Sequence, residues 1–116
     1  MSKDEEIYLI SRAPMETVEG RKSGGGERRE MVFAAVESAK RSDYLQIFGT
    51  DGKQSELRVF VINREDADLA DQIFSDGEKE MVIRAGYVEY NGVRYRMENQ
   101  YGINEFELKL TCSEVD

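Results

Sequence analysis

The most informative part of the sequence is residues 83–97, IRAGYVEYNGVRYRM. Its centre, Asn91-Gly92, is the pair that a two-residue β-turn favours, because both central positions of a type I′ turn need a positive φ. A two-residue loop fixes the register of the strands on either side, so Val88 is expected to face Tyr95. The stretch therefore predicts a β-hairpin.

The opposite face of this hairpin supports the same register. Glu89 is expected to meet Arg94, which makes a favourable cross-strand charge pair. Tyr87 is expected to meet Arg96, which can place a guanidinium over the tyrosine ring. Because both faces are consistent, the register is well defined.

In the strand predicted over residues 80–90, which leads into the turn, the apolar residues switch from one face of the strand to the other. Met81, Ile83 and Ala85 would lie on one face of a regular strand, and Val88 would lie on the opposite face. The change falls at Ala85-Gly86, and glycine inside a strand marks a bulge or bend. We predict a glycine-assisted bulge or sharp bend there, of the kind that barrels use to close.

The rest of the chain is predicted to be mostly strand with one helix. Turn residues and alternation predict further strands over residues 6–10, 29–38, 44–48, 56–62 and 104–112. The helix is expected over residues 64–75, with Asn63 as its N-cap, acidic residues in its first turn and an apolar stripe at helical spacing. In the last strand, Phe106 is expected on the buried face with Cys112.

Three meandering strands, one helix and then a hairpin with a glycine bend resemble the OB-fold over residues 29–112. The resemblance is one of element order and rests on the helix between the third and fourth strands and on Ile83-Arg84-Ala85-Gly86-Tyr87-Val88. It implies a mostly β, OB-like closed or partly open barrel. It also implies single-stranded nucleic acid as a ligand, bound across the second and third strands.

One domain is expected over residues 1–116, with residues 1–28 forming an N-terminal strand and a flexible glycine-rich loop. The net charge is −8, and it is uneven: residues 1–42 hold eight basic and eight acidic residues, and residues 43–116 hold eight and sixteen. This acidity disfavours long-range attraction to phosphate backbones. The charged N-terminus, the short apolar runs and the single cysteine predict a cytoplasmic protein with no membrane segment.

Catalytic machinery is sparse, and we predict a binding module that is not an enzyme. The chain has no histidine, the commonest general base and metal ligand. Cys112, on an apolar strand face, is expected to be a buried small hydrophobe. The spacing of Asp66, Asp68 and Asp71 fails the calcium-loop pattern, so no metal and no cofactor are expected.

Two interaction hypotheses remain open. The first is single-stranded nucleic-acid binding, directly or within a replication, repair or mobile-element complex, through a basic and aromatic surface. Its candidate residues are Arg58, Phe60, Tyr87, Arg94, Arg96 and Tyr44 on the strands and Arg28, Arg29, Lys40 and Arg41 in the loops. The alternative assignment of Phe60 and Tyr87 is to core or cross-strand packing, with the arginines paired to acids.

The second hypothesis is an acidic protein-interaction domain that binds a basic protein partner, as an inhibitor, nucleic-acid mimic or assembly component. Its candidate residues are Glu65, Asp66, Asp68 and Asp71 on the predicted helix. Solubilising charge is the competing explanation for these acids. Edge strands also allow pairing between copies of the chain, so a homo-oligomer is an open possibility.

Overall fold

A computed structural model describes residues 2–12, 15–18, 21–24, 26–51, 55–66, 70–75, 78–83 and 85–115. The strands are β1 (Glu5–Arg12), β2 (Met15–Val18), β3 (Arg21–Gly24), β4 (Glu27–Ser38), β5 (Leu57–Asn63), β6 (Ala70–Ser75), β7 (Glu78–Ile83), β8 (Tyr87–Tyr90), β9 (Val93–Gly102) and β10 (Glu107–Glu114). In the same ranges one α-helix is found, α1 (Arg41–Phe48), with short 3₁₀ turns at Gly49–Asp51 and Arg64–Asp66.

Six strands form a closed antiparallel barrel in the order β1-β4-β5-β10-β9-β8, with β8 pairing back onto β1. The sequence-adjacent strands β8, β9 and β10 are neighbours, and β10 returns to lie beside β5, which gives a Greek-key connection. The other strands form two separate hairpins, β2–β3 and β6–β7. The predicted mostly β fold with a closed barrel is confirmed, and its size is compatible with a small OB-like barrel.

The barrel interior is filled by side chains that alternate inward along each strand. The pleat sends every second residue to one face, so Phe60 and Ile62 of β5 point inward while Val59 and Val61 point outward. The interior cluster consists of Ile7, Leu9, Val32, Ala34, Phe60, Ile62, Ala85, Val88, Tyr95, Leu108, Leu110 and Cys112. Burial of this apolar surface is the main source of the barrel's stability.

A second, smaller apolar cluster lies on the outside of the barrel. Ala35, Val59 and Val61 form it, with Ala39 packed against them. Lys109 is paired with Val61 in the sheet and forms an ion pair with Asp43 of α1, with Nζ and Oδ1 2.8 Å apart. This contact places the start of α1 over the outer cluster, which explains how β5 is buried on both faces.

The position of the helix differs from the prediction. It lies between the second and third barrel strands, β4 and β5, and not between the third and fourth. Residues 44–48, predicted as a strand, belong to this helix. Asp43 stabilises its start by accepting a hydrogen bond from the backbone N–H of Lys40 at 2.8 Å.

Within the described ranges, the structure contains no helix with the length and apolar character that a membrane span needs.

The helix predicted over residues 64–75 is wrong. The chain instead forms a single 3₁₀ turn and then strand β6, which pairs with β7 from Ala70↔Ile83 to Ser75↔Glu78. Both strands gain backbone hydrogen bonds from this pairing. The two strands are separated by only two residues in the sequence, so they can pair as a hairpin. The predicted strand over residues 80–90 is correspondingly split between β7 and β8.

The hairpin formed by β8 and β9 has the predicted register. Val88 pairs with Tyr95, Glu89 with Arg94 and Tyr87 with Arg96. Its turn residues have φ of 51° at Asn91 and 76° at Gly92, as a type I′ turn requires. The chain also bends before this hairpin at the predicted place, since residues 85–86 separate β7 from β8.

The first and last strands of the barrel also have different bounds from those expected. Strand β1 is a full member of the barrel between β4 and β8, so the barrel begins before residue 29. The segment expected to be a glycine-rich loop contains the hairpin β2–β3. At the other end, β10 begins at Glu107 and not at residue 104.

Candidate functional site

The outer surfaces of β4, β1, β8 and β9 form one continuous sheet face. Ile10 of β1 is paired with Arg29 on one side and Tyr87 on the other, and Tyr87 is paired with Arg96. This row of residues therefore runs across four strands, and a parallel row runs beside it. We call this surface the ladder face, and it consists of Tyr8, Glu27, Arg29, Met31, Phe33, Tyr87, Glu89, Arg94 and Arg96.

Two arginines on the ladder face are held by carboxylates from other strands. Arg29 donates two hydrogen bonds to Glu89, at 3.1 Å and 2.9 Å. Arg94 donates two to Glu27, at 2.9 Å and 3.3 Å. Bidentate pairs of this kind fix the plane of the guanidinium as well as its position. The face is therefore ordered by ion pairs that span β4, β8 and β9.

The same two guanidinium groups cover aromatic rings. The Cζ atom of Arg29 lies 4.9 Å from the centre of the Tyr8 ring, and that of Arg94 lies 5.5 Å from the centre of the Tyr87 ring. Both distances are within the range of a cation–π contact. The sequence predicted Arg96 over Tyr87, whereas the guanidinium that lies there comes from the diagonal neighbour, Arg94.

The ion pairs also set the charge state of the face. Hydrogen bonding to Arg94 lowers the pKa of Glu27, and hydrogen bonding to Arg29 lowers the pKa of Glu89. Both carboxylates are therefore ionised at neutral pH. A phosphate group that binds either arginine must compete with a carboxylate already in place.

Apolar side chains lie directly beside these charges. Met31 is 44% exposed and Phe33 is 45% exposed, and both lie on the outer side of β4. Because these two side chains lie outside the barrel, they do not contribute to the packing of its interior. Aromatic residues, methionine and arginine together are the residue types enriched in protein–protein interfaces.

The structure brings together only some of the predicted nucleic-acid-binding residues. Arg29, Tyr87, Arg94 and Arg96 share the ladder face. Phe60 does not: it is fully buried, and its ring packs edge-on against Tyr90 and Tyr95. Phe60 is therefore not part of a binding surface, and its alternative assignment to the core is the one observed, because it belongs to the inward-facing residues of β5 and a buried ring cannot stack on a base.

The remaining basic and aromatic candidates lie elsewhere. Arg58 shares the inward phase of Phe60, between Ser38 and Cys112. Arg28 alternates with Arg29 and so points away from the ladder face. Tyr44 lies on α1, where its hydroxyl accepts a hydrogen bond from the Leu57 N–H and donates one to Glu56, each at 3.2 Å. Lys40 and Arg41 lie exposed at the start of α1.

The predicted acidic surface is partly described. Glu65 and Asp66 are exposed in the 3₁₀ turn that follows β5. Asp71 lies in β6 opposite Val82, and Asp68 falls outside the described residues. These acids do not share one helical face, because the helix predicted to carry them is absent.

A metal centre is not found in the described part of the chain. That part contains no group of three or more residues that could hold a metal ion. Cys112 is buried in the core, as predicted, and burial raises the pKa of its thiol. A shallow hollow beside the β-bulge in β9 is open to solvent, and it is lined by Ala85, Met97, Glu98, Asn99 and Gln100.

A further surface residue was missed by sequence reasoning. Phe106 was expected on the buried face of the last strand, but it is 71% exposed in the turn between β9 and β10. Ile103, in the same turn, is 50% exposed. Asn104 was the available signal, because asparagine favours turns over strand interiors.

Comparison of the chain with protein-family models and with curated proteins gives no match.

Proposed function

We propose that this chain is a non-catalytic protein-interaction module that binds a partner protein through the ladder face. The observation that carries the proposal is that Met31 and Phe33 are exposed beside arginines already held by carboxylates. An interface of this composition gains affinity from its apolar centre. Its ordered ion pairs supply directional polar contacts around that centre.

The charge of the face also favours a protein over a phosphate backbone. Each of the two pairs, Arg29–Glu89 and Arg94–Glu27, places a carboxylate where a phosphate would bind. The chain as a whole carries a net charge of −8. A nucleic acid would therefore meet an acidic molecule and occupied arginines, whereas a partner protein can pair with both signs of charge.

Single-stranded nucleic acid is the second candidate, and one observation favours it. The ladder face combines two arginine–tyrosine stacks with the exposed Arg96. Stacking surfaces with nearby cations are what sequence-tolerant single-strand binding uses. The face thus retains the residue types of that function, although Phe60 does not contribute.

Titration into fluorescent oligonucleotides separates the two candidates. We expect no change in anisotropy with single-stranded or duplex DNA or RNA at low or moderate salt. Salt-sensitive binding that Arg94→Glu abolishes would instead establish the nucleic-acid function. Arg41→Glu is the matched control, because Arg41 is exposed at the start of α1, off the ladder face, and its reversal changes the net charge equally.

The protein-interaction role is tested with a photo-reactive phenylalanine analogue at position 33. In an extract of the source cells it should cross-link to a protein, and Met31→Asp should remove the product. The same analogue at position 45 is the control, because Leu45 is 49% exposed on α1, outside the ladder face. Equal cross-linking from positions 33 and 45 would contradict the proposal.

A further inference from the structure

The turn between β9 and β10 carries an exposed apolar side chain on a backbone that is held in place by hydrogen bonds. Asn104 Oδ1 accepts hydrogen bonds from the N–H groups of Phe106 and Glu107, at 2.8 Å and 3.0 Å. Its amide also donates to the Glu107 carboxylate at 2.8 Å. Exposed loops with this many internal hydrogen bonds have little freedom to collapse. We call residues 103–106 the Phe106 turn.

Two neighbouring segments attach the Phe106 turn to the barrel. The N–H of Arg64 donates to the carbonyl oxygen of Phe106 at 2.8 Å, so the end of β5 is joined to the turn. Lys3 forms an ion pair with Glu107 at 2.5 Å, which joins the N-terminal segment to the start of β10. The backbone of Phe106 is therefore held from both sides while 71% of the residue's surface is exposed to water.

Exposed acidic residues lie in the segments next to this apolar side chain. The Arg64–Phe106 hydrogen bond places the 3₁₀ turn Arg64–Asp66 beside it, and Glu65 and Asp66 in that turn are exposed. Glu105, the residue before Phe106, is also exposed. Two of the acids predicted from the sequence to bind a basic partner thus lie next to an apolar anchor.

We propose that the Phe106 turn is a second interaction site, which inserts Phe106 into an apolar pocket rimmed by lysine or arginine on a partner protein. This inference rests on the proposed protein-interaction role but uses a different surface. A rigid aromatic side chain costs little entropy to bury, and such residues dominate interface energetics. The acidic rim selects a basic pocket and disfavours an anionic lipid surface.

The Phe106 turn and the ladder face use different residues of the barrel. The turn follows the end of β9 at Gly102, whereas Arg94 and Arg96 of the ladder face lie near the start of that strand. Variants of each surface can be tested separately in the same chain.

The test places the photo-reactive phenylalanine analogue at position 106 in the full chain and adds it to an extract of the source cells. The cross-linked peptide is identified by mass spectrometry, and its protein is then purified for affinity measurements. We expect a peptide that carries lysine or arginine beside apolar residues. A cross-link to a second copy of this chain, to lipid or to an acidic peptide would overturn the inference, and so would no cross-link.

Affinity for the purified partner gives the quantitative result. Phe106→Ala should weaken binding roughly 30-fold, the loss typical of a central aromatic anchor. Glu65→Lys should also weaken binding, and it should reduce the dependence of the affinity on salt. Leu45→Ala is the matched control because it removes a comparably exposed apolar side chain from α1, and it should leave the affinity unchanged.

The two proposals fail in different ways. A partner that is lost with Met31→Asp but unaffected by Phe106→Ala would overturn the inference and leave the proposed function in place. Cross-linking from position 106 without any from position 33 would overturn the role of the ladder face alone. Circular dichroism and thermal melting of each variant establish that it is folded before its affinity is compared.

Discussion

The buried carboxylate of Asp43 is expected to hold α1 against the barrel, and its removal gives a measurable prediction. Asp43 is only 3% exposed. Its two oxygens accept one hydrogen bond from the Lys40 N–H and one from the Lys109 ammonium, both at 2.8 Å. Asp43→Ala removes both bonds at once and separates the start of the helix from β10.

The expected loss follows from these two contacts. A side-chain hydrogen bond to a backbone N–H at a helix start contributes about 1 kcal/mol. A charge-assisted bond from an ammonium to a shielded carboxylate contributes about 2 kcal/mol. Asp43→Ala should therefore lower the free energy of unfolding by about 3 kcal/mol. For a chain of this length that corresponds to a fall in Tm of about 12 °C.

Urea denaturation followed by circular dichroism measures the loss. Lys109→Met should cost about 2 kcal/mol, because it leaves a buried carboxylate with one donor. In the double variant the two losses should not add, and the shortfall gives the coupling energy of the pair. A coupling of about 1.5 kcal/mol or more is expected for partners in direct contact.

The refuting result is specific. If Asp43→Ala costs less than about 1 kcal/mol, which is the helix-start contribution alone, the ion pair does not hold α1 in place. Full additivity in the double variant would refute the same reasoning. As a control, Asn99→Ala changes a residue of β9 that contacts neither α1 nor Lys109 in the described hydrogen bonds.

Three further predictions concern other contacts. Burial alone acts to raise the pKa of Asp43, but hydrogen bonds from Lys109 and the Lys40 N–H outweigh it and lower the pKa below its ordinary value of 3.8. The stabilisation by the Asp43–Lys109 pair should thus be present above the ordinary pKa of Asp43 and be lost as pH falls through its lower pKa in the folded protein. In urea denaturation, the free energy of unfolding should fall less between pH 7 and pH 3 for Lys109→Met than for the parent protein. Gly102→Ala should destabilise the barrel by about 1 kcal/mol, because the added Cβ overlaps the Arg64 guanidinium. Arg64→Ala should suppress that cost in thermal melts, and an unchanged cost would mean that another contact causes it. Burial raises the pKa of the Cys112 thiol, so a thiol reagent should label it only on unfolding, and rapid labelling of the folded protein would contradict this.

The hairpin around Asn91-Gly92 shows how much local chemistry can decide. Its turn type follows from two residues that tolerate positive φ, and a two-residue turn leaves one register. Strands β4 and β5 were likewise expected close to their observed positions, because their apolar residues alternate or run continuously. For these elements the neighbouring residues in the chain contain the necessary information.

The helix and the 64–75 segment show where local chemistry is insufficient. Residues 44–48 have apolar residues compatible with either a short strand or a short helix, and Lys40 at the N-cap gives no start signal. The Asp43 carboxylate caps the helix start locally, and its ion pair with Lys109, 66 residues away in the sequence, holds α1 against β10. In residues 70–75 the pairing with β7 overrides a helical apolar stripe.

The residues of the candidate surfaces were likewise predictable where local sequence places them, and not where contacts between distant segments do. The sequence correctly grouped Tyr87, Glu89, Arg94 and Arg96 on one outer face, because the hairpin register alone places them there. It included Arg29 only as a loop residue and did not include Tyr8, since the positions of both follow from the pairing of β1 with β4 and β8. It left Phe60 open between the surface and the core, where the structure buries it, and it placed Phe106 on the buried face of the last strand, where the structure exposes it.

A small, mostly β barrel, the hairpin register and the burial of Cys112 were predictable from the sequence, because turn chemistry and strand alternation act over a few residues. Which faces of the strands are covered, where the helix lies and which aromatic residues reach the surface depend on the packing of the whole chain. Those outcomes depend on contacts between segments that are distant in the chain. No local pattern records them, because the free energy of such a contact depends on both partners at once.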